Sequence, residues 1–352
     1  MNLAPAAPYR TRFAQIAVRA RHIVDSNLVP STAAVPDWPT RLVELEQLWS
    51  TPPPLRRKRL AEMGDDALCD VLVLAYLRAG TPYALWADTP SGFAEDVIGT
   101  PSWSRKRAIL DATVQNPQVA APICFGAGKT EIAVTLAIWH IAVHRPGDAF
   151  AGVACPDPQA ASDIVVHLAQ LAGRAELPGS ASASYRGWSD VSGGQPMLLA
   201  AAMCAYPEEG GQYAFAEVRS PHLLVVAADA GQHQPLQGAA IDYIVPGSGR
   251  LGSSRLVAVG TPSQLPGSWF EDLAGRPGTH TVRMAVADLP PATKEFTGEC
   301  TDCPPSHEQH SWGAHVADPG WAERAIARYG PAHPYVTSHV HAQFPTAGQQ
   351  AT

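Results

Sequence analysis

Apolar positions in the chain fall into two regimes. Up to about residue 92 they recur at helical spacing. Arg12 to Val24 is an amphipathic candidate. Leu42, Leu45, Leu48 and Trp49 form a second apolar stripe, with Pro39 near its start. After the break at Pro52-Pro53-Pro54, Leu68 to Leu77 is strongly apolar and helical in pattern. Beyond this region, short continuous apolar runs alternate with helical segments. Asp148 to Cys155, Met197 to Met203, Tyr213 to Val218, Leu223 to Ala227 and Leu256 to Val259 read as strands, and Pro158 to Leu171 as a helix. Gly179 to Gly194, rich in Ser and Gly, reads as loop. The alternation predicts an α/β fold with a mostly parallel sheet covered by helices on both faces. The expected division is a helical region over 1–92, an α/β domain over 93–345 and a tail over 346–352.

One stretch stands at a strand-to-helix junction. Val119 to Ile123 leads into Cys124-Phe125-Gly126-Ala127-Gly128-Lys129-Thr130, and Ile132, Leu136, Ile138, Trp139 and Val143 follow at helical spacing. This is the context of a phosphate-binding loop. Glycines allow backbone N–H groups to turn inward, and the helix N-terminus adds partial positive charge. Lys129 would reach the β- and γ-phosphates, and Thr130 would offer its hydroxyl to Mg²⁺. The usual first glycine of the motif is Ile123 here. The cofactor set this predicts is ATP with Mg²⁺.

Composition narrows the picture further. The chain has 352 residues and a formal charge of −7, so its surface is not broadly basic. A narrow basic patch remains compatible with that charge. No run of about 18 apolar residues occurs, and no membrane span is expected. The first residues lack a signal-peptide pattern, so a soluble protein of the cytoplasm is the expectation. Cys69, Cys124, Cys155 and Cys204 lie in apolar surroundings and read as buried thiols. The segment Arg56-Arg57-Lys58-Arg59 reads either as a solvated helix face or as a contact to DNA or a partner.

Three further groups of residues carry chemistry. The strand Leu223 to Ala227 ends in Ala228-Asp229-Ala230, with one carboxylate where a metal-shell acid and a water-polarising acid commonly stand together. Asp229 takes one of those two roles. A further strand runs into Gly260-Thr261-Pro262, where the Thr261 hydroxyl would sense the γ-phosphate or its attacking water. Cys300, Cys303, His307 and His310 offer four zinc ligands within a possible knuckle over 296–315, with an H-x₂-H half tighter than usual. A metal-free loop is the alternative there.

Taken in order, these elements resemble the ATPase domain of the large terminase subunit of tailed bacteriophages, from about residue 92 to 345. Ile98-Gly99-Thr100-Pro101 with Trp103 resembles the family's entry into the adenine site. Phe125 to Thr130 resembles its phosphate loop, Cys155-Pro156-Asp157 the turn after the next strand, and His222 to Ala230 its acidic strand. Gly260-Thr261-Pro262 with Gly267, Trp269 and Phe270 resembles its coupling segment, and Trp321, Tyr329-Gly330, Pro334 and Gln343-Phe344-Pro345 its closing run. The resemblance implies Trp103 at the nucleotide, Mg²⁺ near Thr130 and Asp229, and a role for Thr261 in coupling. It implies work on double-stranded DNA by a homo-oligomeric ring, with a small subunit and a portal ring as partners, in a bacterial host cell. It also marks departures. Ser104 stands where a glutamine follows the tryptophan, and Pro122 and Ile123 stand near an expected basic residue. Ala228-Asp229 stands for an Asp-Glu pair. An acidic nuclease domain would begin beyond Pro345, and nuclease activity is not expected of this chain. Two readings stay open: a packaging motor, or a module that binds nucleotide to order an assembly and hydrolyses it slowly or not at all.

Overall fold

The computed structural model describes residues 11–26, 37–182, 186–189, 201–207, 213–248, 253–296, 312–316, 319–346 and 348. Four helices come first: α1 (Arg12–Asp25), α2 (Trp38–Ser50), α3 (Pro53–Glu62) and α4 (Asp65–Ala79). A short α5 (Pro90–Phe93) and α6 (Ser104–Gln115) lead to the first strand. Then come β1 (Gln118–Pro122), α7 (Lys129–Val143), β2 (Ala149–Ala154), α8 (Pro158–Arg174), β3 (Ser180–Ser182), β4 (Gly187–Ser189) and β5 (Ala201–Ala205). They are followed by β6 (His222–Ala228), α9 (Pro235–Ser248), β7 (Ser253–Gly260), α10 (Trp269–Gly275) and β8 (His280–Thr281). The short helices α11 (Pro290–Thr293), α12 (Pro319–Tyr329) and α13 (Pro334–His339) close the order.

The eight strands form one sheet in the order β3-β4-β5-β2-β6-β7-β1-β8. From β5 to β8 every pairing is parallel, while β3 and β4 add an antiparallel edge. Strand β7 therefore lies between β1 and β6, with Val119 opposite Val257 and Val225 opposite Leu256. That order brings the carboxyl ends of the phosphate-loop strand, the Thr261 strand and the acidic strand side by side, where ligands of parallel sheets bind.

Both faces are covered, so the strands read as continuous apolar runs rather than alternating ones. Along β6, Leu224, Val226 and Ala228 enter one hydrophobic cluster, and Leu223, Val225 and Ala227 the other. The period of two in a strand sends neighbours to opposite faces. The first cluster runs without a break from the sheet through α7 into α1, α2 and α4. Every residue of α7 from Ile132 to Val143 is buried, as expected for a helix held between a sheet and a second helical layer. The Trp139 indole N–H donates to the Trp86 carbonyl at 2.9 Å and fastens the two layers.

Some expectations change. Tyr213 to Val218 is not a strand. It is a run of turns closed by Ala216 N–H to the Tyr213 carbonyl (2.9 Å) and Val218 N–H to the Phe215 carbonyl (3.1 Å). Tyr213 and Phe215 imitate strand spacing because both rings are buried and stacked, 5.4 Å apart. The stretch read as loop from Gly179 holds β3 and β4, paired as a hairpin whose second strand continues the sheet onto β5. The strand expected over 197–203 is β5, with 197–200 outside the described residues. Cys300, Cys303, His307 and His310 also lie outside the described residues. Cys69, Cys124, Cys155 and Cys204 are buried free thiols, as expected. No helix of the described residues is long and apolar enough to cross a membrane.

The basic segment of α3 is an internal fastening. Arg56 is buried and pairs with Asp88, and its guanidinium also donates to the Thr51 carbonyl at 3.3 Å. Arg57 grips Glu95 and Asp96, each at 2.7 Å, where the chain enters the α/β region. Lys58 by contrast is exposed and only 3.9 Å from Glu62. Removing one partner of a shielded ion pair strands the others, whereas exposed pairs contribute little. Arg57→Ala is therefore expected to lower unfolding free energy by about 3 kcal/mol in urea titrations. Lys58→Ala should change it by less than about 0.5 kcal/mol. Equal effects of the two substitutions would contradict the fastening role.

Candidate active site

The loop after β1 is suspended by three elements in succession. Ile123 N–H donates to the Gly260 carbonyl at the end of β7 (2.8 Å). Cys124 N–H donates to Met284 beyond β8 (2.9 Å), and Phe125 N–H donates to His339 in α13 (2.9 Å). The next turns use left-handed glycines, with φ of 76° at Gly126 and 73° at Gly128. A side chain at either position would strain the backbone. Lys129 opens α7, whose first intrahelical bond is Ile132 N–H to the Gly128 carbonyl (3.0 Å). The N–H groups ahead of that bond are the unpaired donors of a helix N-terminus, a natural seat for phosphate.

A cleft of about 490 Å³ opens beside the loop. Phe125 and Lys129 line it from the loop, Asp229, Gly231 and Gln232 from the turn after β6, and Thr261 to Leu265 from beyond β7. His339 completes the lining from α13. Lys129, Asp229 and Thr261, expected to act together, thus share one cavity. Thr130 follows Lys129 in the first turn of α7. Trp103 does not line this cleft. It is buried, its indole N–H directed at the Met284 sulfur (3.3 Å).

The electrostatics are those of a site built for a charged guest. Burial lowers the Lys129 pKa from the ordinary lysine value, and the attraction of Asp229 opposes the shift. Burial raises the Asp229 pKa; Lys129 opposes this, and Asp157 at the head of α8 adds to it. The Lys129 ammonium lies 5.6 Å from the centroid of the Phe125 ring, a cation–π contact that a phosphate would replace with a stronger one. Asp229 has φ of 49°, a left-handed backbone uncommon outside glycine. Thr261 Oγ1 is buried and without a hydrogen-bond partner. An orphaned hydroxyl in a cleft is a place where a ligand or its water completes the bonding.

Two backbone segments are pressed together beneath these groups. A Cβ on Gly231 would stand 1.9 Å from the Thr261 carbonyl oxygen. A Cβ on Gly260 would stand 2.5 Å from the Ala230 nitrogen. The turn bearing Asp229 and the strand end bearing Thr261 are thus in direct backbone contact, with no room for a side chain at either glycine. Below them His233 is buried and kept neutral by burial, its pKa pushed down to about 4. Its Nε2–H donates to the Ala228 carbonyl (3.0 Å), and Nδ1 accepts from the Tyr213 hydroxyl (3.1 Å).

Several of these parts were not foreseen from sequence. His233 and Tyr213 anchor the acidic turn. Lys106 is buried and holds both the Pro101 carbonyl (2.9 Å) and Glu131 of the first turn of α7 (2.5 Å). Its ammonium lies 5.3 Å from the centroid of the Trp103 ring, so the segment around Trp103 is tied to the helix that starts at Lys129. The regular loop-to-helix motif was visible because its residues are consecutive. A single lysine 23 positions upstream carries no such local signal.

The groups present fit Mg²⁺ bound with a nucleotide. Among the described residues no three His, Cys, Asp or Glu side chains converge as a metal cage. A Mg²⁺ held by phosphates and water needs only one or two protein oxygens. Of the two residues expected to supply them, Asp229 lines the cleft and Thr130 is not among its lining residues.

No family model matches the chain, and no curated protein matches it. Similar solved structures include the large terminase ATPase domain of Thermus phage P74-26, at 14% identity and a TM-score of 0.48. A mutant of that domain is similar at 13% identity and a TM-score of 0.49. Each match covers 73% of this chain and 99% of the other. The large terminase of bacteriophage HK97 is similar at 13% identity and a TM-score of 0.47, over 73% of this chain and 55% of that one.

Proposed function

We propose that this chain is a nucleoside-triphosphate-driven motor domain of the terminase large-subunit type, binding ATP with Mg²⁺ and acting on double-stranded DNA. The observation that carries the reading is the meeting of Lys129, Asp229 and Thr261 in one cleft at the carboxyl end of a parallel sheet. The order of the motifs along the chain supplies the terminase type. In this reading the loop N–H groups and Lys129 take the phosphates. Bound Mg²⁺ would neutralise charge on them, with Thr130 offering its hydroxyl to the metal and Asp229, aligned at the water-polarising position, orienting the attacking water. Thr261 holds the attacking water or the γ-phosphate, and the Gly231–Gly260 contact passes its displacement to the acidic turn and to α10. Work on DNA belongs to a homo-oligomeric ring engaged with a small subunit and a portal ring.

A second reading has its own observation. Ala228 is buried where the resemblance calls for a carboxylate, so Asp229 stands alone on its strand end. Such a site binds nucleotide well and hydrolyses it slowly, which suits a module that orders an assembly. DNA-stimulated phosphate release distinguishes the motor from the module.

Lys129→Ala removes the main point charge facing the phosphates. ATP affinity is expected to fall at least about 100-fold by titration calorimetry, on the scale of a lost charged contact. Unchanged affinity would remove the phosphate-loop assignment.

The strand end offers a finer test. Asp229→Ala is expected to abolish turnover while leaving nucleotide bound. Ala228→Asp is expected to raise turnover modestly by restoring a second acid. Steady-state phosphate release, with and without DNA, reads both. If Ala230→Glu raises turnover and Ala228→Asp does not, the register shifts by one and Asp229 belongs to the metal. A silent Asp229→Ala would take the chemistry away from this strand.

A further inference from the structure

His339 stands 210 positions beyond Lys129 in the chain and lines the same cleft. Its main chain and its ring are both engaged there. The carbonyl receives the Phe125 N–H at 2.9 Å, which fixes α13 against the phosphate loop. The ring stacks on Tyr335 (4.3 Å between centroids, 14° between planes) and lies 6.3 Å from the Phe125 ring. Ser338 Oγ donates to the Pro334 carbonyl at 2.9 Å and accepts from His339 Nδ1 at 2.8 Å. That tautomer leaves Nε2 as the nitrogen without a hydrogen bond among the described residues. Lys129 lies within electrostatic range of the ring.

We propose that His339 is a ligand of the terminal phosphate of the bound nucleoside triphosphate, with Nε2–H as the donor. The inference rests on the phosphate-loop reading and adds a second cation to it. Lys129 is the one Lys or Arg side chain that lines the cleft among the described residues. A triphosphate with Mg²⁺ still carries net negative charge, so a protonated imidazole on the facing wall is stabilised by it. The donor comes from the closing helix rather than the loop, so the terminal phosphate bridges α7 and α13 directly. Loss of that phosphate on hydrolysis releases the bridge while the loop keeps its hold on the diphosphate. The closing segment thereby reads the difference between ATP and ADP.

The protonation has a defined sign. In the free protein burial lowers the His339 pKa; the bond to the Tyr335 carbonyl opposes this, and the Lys129 charge adds to it. Lys129 of α7 and Asp229 after β6 are the charged side chains on the facing walls. An incoming phosphate raises the pKa, so triphosphate binding takes up a proton. Affinity for the triphosphate is then highest in acid and falls as pH rises through the pKa of the complex.

The test uses the full chain with a non-hydrolysable ATP analogue, ADP and inorganic tripolyphosphate in titration calorimetry from pH 6 to 8. His339→Ala is expected to weaken the ATP analogue and tripolyphosphate about tenfold, the scale of a charge-assisted hydrogen bond, and ADP much less. His339→Gln keeps a neutral donor, so it should restore part of the affinity and make it independent of pH. Equal losses for ATP analogue and ADP in His339→Ala would overturn the proposal, since α13 would then only brace the loop. So would a preference for ATP over ADP that is undiminished in His339→Ala, or a pH dependence unchanged in His339→Gln. A wild-type chain that binds none of the three ligands, with Lys129→Ala no different, would instead remove the phosphate-loop reading beneath it.

Discussion

The site depends on how the backbone of the loop after β1 is satisfied. Successive N–H groups of Ile123, Cys124 and Phe125 are bound by β7, by the segment after β8 and by α13. A buried amide without a partner costs free energy, so each of these bonds fixes where its donor points. The loop is thereby held at the carboxyl end of the sheet, with Phe125 and Lys129 lining the cleft. These bonds reach residues 260, 284 and 339 from three consecutive positions.

The sheet order converts that support into chemistry. Because β7 separates β1 from β6, the cation, the hydroxyl and the carboxylate occupy adjacent strand ends rather than opposite edges. The close contact of Gly231 with Thr261 and of Gly260 with Ala230 removes slack between the last two. At the same point the backbone of Asp229 is left-handed. The hydrogen bonds of neutral His233 to Ala228 and Tyr213 hold this conformation from below. A partly buried acid beside an unsatisfied Thr261 hydroxyl is consistent with a site whose bonding is completed by a ligand.

Local patterns made much of this legible. The loop, the buried strands β2, β6 and β7, and the helices α1, α4, α7 and α8 each declare themselves within a dozen or so residues. What escaped was long-range or mimicked a local pattern. Tyr213 and Phe215 copy strand periodicity while stacking on one another. The arginines of α3 read as surface charge because their partners, Asp88, Glu95 and Asp96, come some 30 to 40 positions later. Trp103, expected at the nucleotide, is buried against Met284 and linked to α7 through Lys106 and Glu131, contacts that no local pattern announces. His339 carries no local signal, since nothing near it in sequence resembles a phosphate site.

These misses share a physical cause. A short motif specifies the backbone of an anion site, because conformation and helix polarity are local properties. The charges and donors that tune such a site come from whichever elements the fold folds back over it. In this chain those elements are the segment around Lys106, the turn held by His233 and the closing helix with His339. Each attaches to the motif through a hydrogen bond or ion pair rather than through apolar packing alone. Directional contacts of this kind transmit small displacements that a purely hydrophobic contact would absorb. A site assembled this way is suited to reporting its own occupancy to the rest of the molecule.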